Sequence, residues 1–255
     1  MEQTERRTRL IKYILEERNE TISIPSDEGS QKRLLRALLN VRPPMPVSAE
    51  FLSLQDEYLT ERKNERGIID IKKLTYTHGI SLFKGDITTL NADAIVNAAN
   101  SAMLGCFRPL HNCIDNAIHT FAGMQVRLDC NNIMKGREAE NGEVIVTKAY
   151  NLPSRFIFHT VGPVVYGRVT KENEADLAKC YLNCLAKADE MKLKSIAFCC
   201  ISTGVFGYPK EEAAQLAVKV VQEYKARTSS SLKIIFDVFT ENDYELYRRI
   251  LKKNR

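Results

Sequence analysis

The chain has 255 residues, a formal net charge of +5, 44% hydrophobic residues and 27% charged residues. Because this composition is close to average globular usage, it excludes a disordered chain and allows a sizeable buried core. No run reaches the roughly 18 apolar residues of a membrane span. No apolar stretch follows the polar residues 1–7, so we expect a cytoplasmic protein without a secretory signal.

Residues 1–74 predict a helical extension. Apolar residues recur at helical spacing in three stretches, near residues 10–15, over 31–40 and over 49–65. Pro43 and Pro44 end the second helix, because proline lacks an amide and disfavours helix in the residue before it. Ser48 is a candidate N-cap for the third helix, which we expect to end near Gly67.

Residues 75–255 predict a separate α/β domain. Short β-rich runs are expected as strands at Ile80–Lys84, Ala94–Asn97, Val144–Ala149, Phe156–Val161, Ile196–Ile201 and Ile234–Phe239. Helical patterns alternate with them at Ile114–Gly123, Ala175–Met191, Glu211–Ala226 and Asp243–Lys252. Alternation of this kind predicts a sheet with helices on both faces.

Polar segments follow two of the predicted strands. Asp86, within Gly85–Thr88, can accept from a ligand's amino group or simply cap a turn. The segment Asn97–Asn100 places two amides at the end of the next strand, where they can contact a ligand or tie down a loop. Both are candidate ligand contacts, since ligand crevices in α/β sheets open at strand ends.

The segment Ile201–Pro209 joins a predicted buried strand to a helix through two glycines and two hydroxyl side chains. Backbone amides approach closely where side chains are absent, and the N-terminus of the following helix favours phosphate oxygens. The segment lacks the Walker and GxGxxG patterns. It predicts an anion-binding loop, with a tight strand-to-helix turn as the alternative.

The segment Gly105–Cys113 brings Cys106, His111 and Cys113 close together in sequence. Thiolate sulfur and neutral imidazole are preferred zinc ligands, and three protein ligands with an open position are typical of a reactive zinc site. His111 and Cys113 can project to one side of an extended segment, while Pro109 turns the chain back toward Cys106. The segment predicts one zinc ion per chain, with a loop of incidental thiols as the alternative.

The remaining cysteines favour structural roles. Cys180 and Cys184 lie one helical turn apart among leucines, which predicts core packing. Cys199 and Cys200 are adjacent in a predicted strand, so we expect them on opposite faces, within the core and unable to share one ion.

Two histidines and the C-terminal basic residues are also expected to be structural. His159 lies within a predicted strand and is expected to be a buried or half-buried residue with satisfied hydrogen bonds, not a catalyst. His119 is expected to be a helix-face residue, with a role as a distant ligand as the alternative. Lys252, Lys253 and Arg255 are expected to form a solvated helix end. The mild, scattered positive charge does not favour nucleic acid as a partner.

Four ordered motifs together resemble the macrodomain family, namely Gly85–Thr88, Asp93–Ser101, Ile157–Pro163 and Ile201–Pro209. The resemblance covers residues 75–255 and implies a three-layer α/β/α sandwich with a mixed sheet that binds ADP-ribose. Where a glycine-rich run normally follows the Asn-Ala-Ala-Asn motif, this chain has Cys106–Cys113. In this respect it resembles zinc-containing members of the MacroD-type branch, which remove ADP-ribose from proteins and carry a helical N-terminal extension.

The resemblance also implies partners and alternatives. Bacterial members of this kind are often linked to a sirtuin-like transferase that modifies a lipoyl-carrier protein, so the implied partner is a mono-ADP-ribosylated protein. The implied activity is zinc-dependent removal of mono-ADP-ribose from Asp or Glu side chains. The alternatives are a non-catalytic ADP-ribose reader module and an O-acetyl-ADP-ribose deacetylase.

Several site residues follow from the resemblance. It places Asp86 on the adenine amino group beside the Ile87 amide, and Asn100 at the distal ribose. Phe239 is a further candidate for stacking on adenine. The diphosphate would be wrapped by the loop residues Ser202, Thr203, Gly204, Val205 and Phe206, with Phe206 against the distal sugar.

The implied catalytic residues adjoin the implied zinc ligands. Asp115 matches an aspartate implicated in catalysis by relatives without zinc, and it lies two residues after Cys113. The resemblance implies catalytic roles for Asn100 and Asp115, and contacts from Ile114 and Asp115 to ADP-ribose. Zinc would either orient a ribose hydroxyl or lower the pKa of a water, with Asp115 as general base or as a positioning group.

Overall fold

The computed structural model describes residues 1–253. Its α-helices are α1 (Gln3–Glu17), α2 (Glu28–Val41), α3 (Ala49–Arg66), α4 (Ile114–Ala122), α5 (Met124–Met134), α6 (Lys171–Glu190), α7 (Lys210–Thr228) and α8 (Glu241–Lys253). Its strands are β1 (Ile80–Lys84), β2 (Ala94–Ala99), β3 (Val144–Lys148), β4 (Phe156–Val161), β5 (Ser195–Phe198) and β6 (Lys233–Val238). Short 3-10 turns cover Ile71–Lys73 and Ile87–Thr89.

The strands form one mixed sheet in the order β1-β6-β5-β2-β4-β3, in which β3 runs antiparallel to β4 and the other neighbours are parallel. After β2 the chain moves toward β4 and β3, whereas after β4 it returns to β5 and then β6. The strand order therefore reverses between β2 and β5. Only Ala94 and Ile95 of β2 pair with β5, while β2 stays paired with β4 as far as Ala99, so the sheet opens between β2 and β5 at its carboxyl edge.

Helices cover both faces of the sheet and confirm the three-layer α/β/α prediction. Helix α4 packs on β2 and α5 on β3, whereas α6 packs on β3, β4 and β5 and against α7. The parallel crossovers β4–α6–β5 and β5–α7–β6 move in one direction across the sheet, so right-handed connections place α6 and α7 on the same face. The central strands are buried on both sides, with Ile95, Phe158 and Ile196 fully inaccessible. Such strands need apolar residues at successive positions, which is why they read as continuous hydrophobic runs.

The N-terminal helices build a second hydrophobic cluster, confirming the predicted helical extension. Leu10, Ile14, Leu35 and Phe51 are almost completely buried in it, and Met124 joins it from the start of α5. Asp27 and Ser48 cap α2 and α3 by accepting backbone amides, as expected for Ser48. The division of the chain at residue 74 stays a prediction.

The predicted strand Ile196–Ile201 is too long. Strand β5 ends at Phe198, and Cys199 and Cys200 lie beyond it, so their predicted placement within a strand is wrong. The reason is that the chain leaves the sheet to turn into α7, where Thr203 donates to the Cys200 carbonyl through both its amide and its hydroxyl. Cys199 is buried in the core, and Cys200 is half-buried and packs against it.

Further differences concern the start of one helix and the presence of another. Helix α6 begins at Lys171 rather than Ala175, because Thr170 and Asn173 form a reciprocal capping box. Helix α5 has no counterpart among the predicted elements. Lys252 and Lys253 lie in the exposed last turn of α8 as expected, whereas Arg255 lies outside the described residues.

Candidate active site

The polar segments singled out in the sequence converge on the carboxyl edge of the sheet. Gly85 follows β1, Asn100 follows β2, and the loop after β5 leads into α7. The loop between β2 and α4 carries Cys106–Cys113, so the candidate metal ligands lie on the connection that leaves the same edge. A crevice at this position, beside the reversal of strand order, is where open α/β sheets bind ligands.

Asp86 is held rigidly at the end of β1. It caps the turn Ile87–Thr89, and its Oδ1 accepts the Thr88 amide at 2.9 Å and the Thr88 hydroxyl at 2.6 Å. Its Oδ2 accepts Arg66 Nη2 at 2.6 Å. The cap role and the ligand role proposed for this residue are therefore compatible, because the carboxylate remains 37% exposed while it caps the turn.

Asn100 and Asp115 meet beneath the Cys106–Cys113 segment. Asp115 lies in the first turn of α4, and one of its oxygens accepts Asn97 Nδ2 at 2.8 Å. Asn100 Nδ2 donates to the Gly105 carbonyl at 3.0 Å and lies 3.5 Å from the other Asp115 oxygen. Asn100 Oδ1 is buried and accepts no hydrogen bond from any donor within residues 1–253.

The environment of Asp115 makes its carboxyl a weaker acid than that of an ordinary aspartate. The carboxyl is buried, and this burial raises its pKa to about 6, against the opposing effects of the Asn97 hydrogen bond and the positive charge of Arg127. His119 Nε2 lies 3.5 Å from the same carboxyl, one helical turn further along α4. Burial lowers the pKa of His119 well below its ordinary value, so this imidazole is neutral.

His159 and His119, the two buried histidines of this region, differ in their hydrogen bonding. His159 is fully buried, and its ring nitrogens contact Thr147 Oγ1 at 2.9 Å and Asn97 Nδ2 at 3.1 Å, which confirms the predicted structural role. His119 lies on a helix face as predicted, but it is buried and neither ring nitrogen has a partner that meets hydrogen-bond criteria within the described chain.

Cys106, His111 and Cys113 are brought together by the loop. Their candidate ligand atoms all lie within 4.8 Å of one another, and each residue is half-buried. Cys106 Sγ lies 3.5 Å from His111 Nδ1, and Cys113 Sγ accepts the Asn116 amide at 3.4 Å as the N-cap of α4. Burial raises the pKa of Cys113 to about 12, so a nearby cation is needed to stabilise its thiolate.

This donor set fits zinc. Two sulfur atoms and one imidazole nitrogen match the ligand preferences of zinc and are unsuited to magnesium or calcium, which prefer oxygen. The predicted turn of the chain near Pro109 is present. Leu110, the next residue, adopts a positive φ of 57° and turns the chain between Cys106 and His111. All three candidate ligands come from the connection between β2 and α4.

The N-terminal extension holds this loop in place. Arg36 on α2 donates through Nε and Nη2 to Asn116 Oδ1, at 3.1 and 2.7 Å, and through Nη2 to the His111 carbonyl at 3.2 Å. Asn40 Oδ1, also on α2, accepts the Leu110 amide at 3.0 Å. These contacts link residues 70 to 80 positions apart in the chain, and the sequence offers no local signal for them.

The loop after β5 presents free backbone donors. Within residues 1–253, the amides of Gly204, Val205 and Phe206 have no acceptor, and Gly204 and Val205 are exposed. Ser202 adopts a positive φ of 64° and its buried hydroxyl has no partner in the described chain. Because free amides and hydroxyls of this kind bind anions, the geometry favours the predicted anion-binding loop over a plain turn.

A neighbouring loop is fitted against this one. The Val165 amide donates to the Phe206 carbonyl at 2.8 Å. A Cβ atom on Gly162 would collide with the Ser202 hydroxyl, so only glycine permits this approach of the two loops. Thr203 and Phe206 are half-buried at the base of the same loop.

Three other predicted contacts lie at the crevice with less enclosure. Ile87 is buried and its amide has no acceptor within the described residues. Ile114 is half-buried in the first turn of α4, where backbone amides lack intrahelical partners. Phe239 lies just beyond the end of β6 and is 78% exposed, so its ring is available for stacking.

Comparisons with known proteins agree with this geometry. The sequence profile described as "Macro domain" matches residues 96–217. The chain is 48% identical to a "Protein-ADP-ribose hydrolase" of Treponema medium over 98% of this chain and 100% of that protein. It is also 48% identical to a "Protein-ADP-ribose hydrolase" of Staphylococcus aureus strain MRSA252, over 92% of this chain and 90% of the relative.

A solved structure is similar in fold as well as in sequence. The Trypanosoma brucei macrodomain in complex with ADP-ribose matches with a TM-score of 0.66 and 29% identity. The match covers 85% of this chain and 94% of the trypanosome chain.

Among the described residues, no helix combines the length and apolar character needed to cross a membrane.

Proposed function

We propose that this chain, which belongs to the macrodomain family, is a zinc-dependent hydrolase that removes mono-ADP-ribose from acidic side chains of modified proteins. Relatives at 48% identity are named protein-ADP-ribose hydrolases, which supports hydrolysis of protein-linked ADP-ribose. The dependence on zinc and the Asp or Glu acceptor go beyond what the names of these relatives state. The implied target, a lipoyl-carrier protein modified by a sirtuin-like transferase, stays a prediction.

One observation carries the proposal: the Cys-His-Cys cluster adjoins a buried carboxyl and an unsatisfied amide. Cys113 caps the helix whose first turn holds Asp115, and Asn100 lies between Asp115 and the backbone of Gly105, the residue before Cys106. A cluster that only stabilised the loop would not need a buried acid beside it. Perturbed titratable groups gathered in a cleft are typical of catalytic sites.

The proposed contacts to ADP-ribose follow from the donors and acceptors at the crevice. Asp86 would accept the adenine amino group, with the Ile87 amide donating beside it and Phe239 available to stack on the base. The diphosphate would accept from the free amides of Gly204, Val205 and Phe206 and from the side chains of Ser202 and Thr203. The Ile114 amide, in the first turn of α4, would donate to the distal half of the ligand.

The proposed reaction breaks the bond between ribose C1″ and the side-chain oxygen of the target, and water supplies the new oxygen on C1″. When bound, zinc would act as a Lewis acid that orients a ribose hydroxyl or acidifies water. Asn100 would position the distal ribose through its unpartnered Oδ1. Asp115, held by Asn97, would orient the attacking water or accept its proton.

The test is release of ADP-ribose from a protein carrying mono-ADP-ribose on Asp or Glu, followed by mass spectrometry with and without a zinc chelator. Cys113→Ala and Asp115→Ala are the informative variants. Cys184→Ala is the matched control, because it removes a thiol that is fully buried in α6, away from the cluster. We expect release by the parent chain and by Cys184→Ala, loss of release on chelation and in Cys113→Ala, and strongly reduced release by Asp115→Ala.

Other outcomes would redirect the proposal. Binding of ADP-ribose without release from the zinc-loaded protein would contradict hydrolysis and favour a reader module. Release that survives chelation and the Cys113→Ala substitution would contradict zinc dependence. Turnover of O-acetyl-ADP-ribose but not of the modified protein would favour deacetylation.

A further inference from the structure

Arg66, the last residue of α3, reaches from the N-terminal extension into the crevice. Its Nη2 donates to Asp86 Oδ2 at 2.6 Å and also contacts the Thr88 hydroxyl. The centre of its guanidinium lies 3.6 Å from the centroid of the Phe121 ring on α4. The side chain is only 16% exposed, so the guanidinium is fixed between an aromatic face and a carboxylate.

Arg66, Thr88 and Asp86 contact one another, so each of the three side chains bonds to the other two. The Thr88 hydroxyl donates to Asp86 Oδ1 and contacts Arg66 Nη2, while the Thr88 amide also donates to Oδ1. The Asp86 carboxylate is thus held at both of its oxygens. Neither a rotation of the carboxylate nor a change of side-chain rotamer is possible without breaking a charge-assisted hydrogen bond.

The contacts leave room for one more donor. An ionised carboxylate offers about four acceptor positions, two on each oxygen. Thr88 takes two on Oδ1 and Arg66 takes one on Oδ2, so one position on Oδ2 remains. Because the Asp86 side chain is 37% exposed, a donor arriving from solvent can reach it.

We infer that Arg66 is a positioning residue that fixes the Asp86 carboxylate to accept a 6-amino group, and so makes the site selective for adenine. The inference rests on the proposed ADP-ribose site and assigns a part of nucleotide recognition to the N-terminal extension. Arg66 acts through Asp86 and Thr88. A ligand without an amino donor at that position gains little from the arrangement.

Two features favour this role over an obstructing one. The guanidinium stacks on Phe121 and is less exposed than the carboxylate it holds, so it lies on the protein side of Asp86. It also needs no displacement for the remaining Oδ2 position to be used. An arginine that blocked the site would have to leave before the nucleotide could bind.

The experiment measures the dissociation constants of ADP and inosine diphosphate by titration calorimetry. ADP contains the adenine half of the ligand and lacks the distal ribose and the scissile bond, so the measurement is independent of zinc and of turnover. Inosine diphosphate places a carbonyl oxygen where adenine carries its amino group. The proteins are the parent chain, Arg66→Ala, Asp86→Asn, the Arg66→Ala/Asp86→Asn double variant and Arg62→Ala.

Arg62→Ala is the matched control, because Arg62 lies one turn earlier on α3 and pairs with Glu65. We expect Arg66→Ala to weaken ADP binding about tenfold. Binding of inosine diphosphate should change less than about twofold, and Arg62→Ala should bind both ligands as the parent does. In the Asp86→Asn background the Arg66→Ala substitution should have little further effect, because the residue it positions is already altered.

Equal weakening of both nucleotides by Arg66→Ala would overturn the inference, since it would indicate a general structural role. Unchanged or tighter ADP binding would overturn it as well. These outcomes leave the proposed hydrolase intact. Failure of the parent chain to bind ADP at all would instead contradict the proposed nucleotide site itself.

Discussion

Replacing Arg36 by alanine should weaken zinc binding, although Arg36 is not a zinc ligand. Arg36 donates three hydrogen bonds from α2 to the loop, two to Asn116 Oδ1 and one to the His111 carbonyl. His111 is a proposed ligand, and the Asn116 amide donates to the Cys113 sulfur. Without Arg36, the loop must lose more conformational freedom when it closes around the ion.

The expected magnitude follows from the type and burial of these bonds. A hydrogen bond from a charged donor contributes roughly 1.5–3 kcal/mol when buried. Arg36 is only half-buried, so we take the lower end for the whole set. About 1.4 kcal/mol corresponds to a tenfold increase in the zinc dissociation constant.

The assay is competition for zinc against a chromophoric chelator, with the visible spectrum of the cobalt-substituted protein as a second readout of the sulfur and nitrogen ligands. Arg33→Ala is the control, because Arg33 is exposed on the same helix and its replacement changes the net charge equally. We expect weaker binding in Arg36→Ala only, with an unchanged cobalt spectrum at saturation. Zinc affinity of Arg36→Ala equal to that of the parent, in a folded protein, would refute the argument that the extension orders the loop.

Two further predictions concern the crevice and its surroundings. Gly162→Ala should weaken ADP-ribose binding at least about tenfold, because the new Cβ would collide with the Ser202 hydroxyl, and unchanged affinity by calorimetry would contradict this fit. Burial raises the pKa of Asp237 well above its ordinary value. In the unfolded chain this carboxyl ionises at about pH 4, so the folded state loses stability as the pH rises from there toward the raised pKa. Asp237→Asn should therefore raise the melting temperature by about 3 °C at pH 7 and much less at pH 4; an equal gain at both values would exclude ionisation as the cause.

The sequence was sufficient for features that depend on near neighbours. The strand at 80–84 and the helix that begins at Ile114 follow from short-range periodicity and agree with the structure. The clustering of Cys106, His111 and Cys113 is also a local feature, because a single turn of the chain brings their side chains together. The motif order was sufficient to identify the family, since its glycines and polar residues stand at strand ends, where a sheet of this kind exposes them.

Local periodicity failed where packing decides. Helix α5 has asparagines at positions 131 and 132, which weakens its helical pattern, and it is held by packing on α4 and β3. The strand β5 stops at Phe198 although apolar residues continue to Ile201, because the chain must turn toward α7. Neither the presence of α5 nor the end of β5 can be predicted from the residues at those positions alone.

Only the tertiary structure decided how the N-terminal extension contributes to the site. Arg36 and Arg66 read in the sequence as ordinary charged residues of amphipathic helices. In the fold, Arg36 bonds to Asn116, 80 positions away, and Arg66 reaches Asp86, 20 positions away and across a helix end. A charged side chain can satisfy its hydrogen bonds with many partners, so its partner is fixed by the packing of whole helices against the sheet and not by its neighbours in the chain.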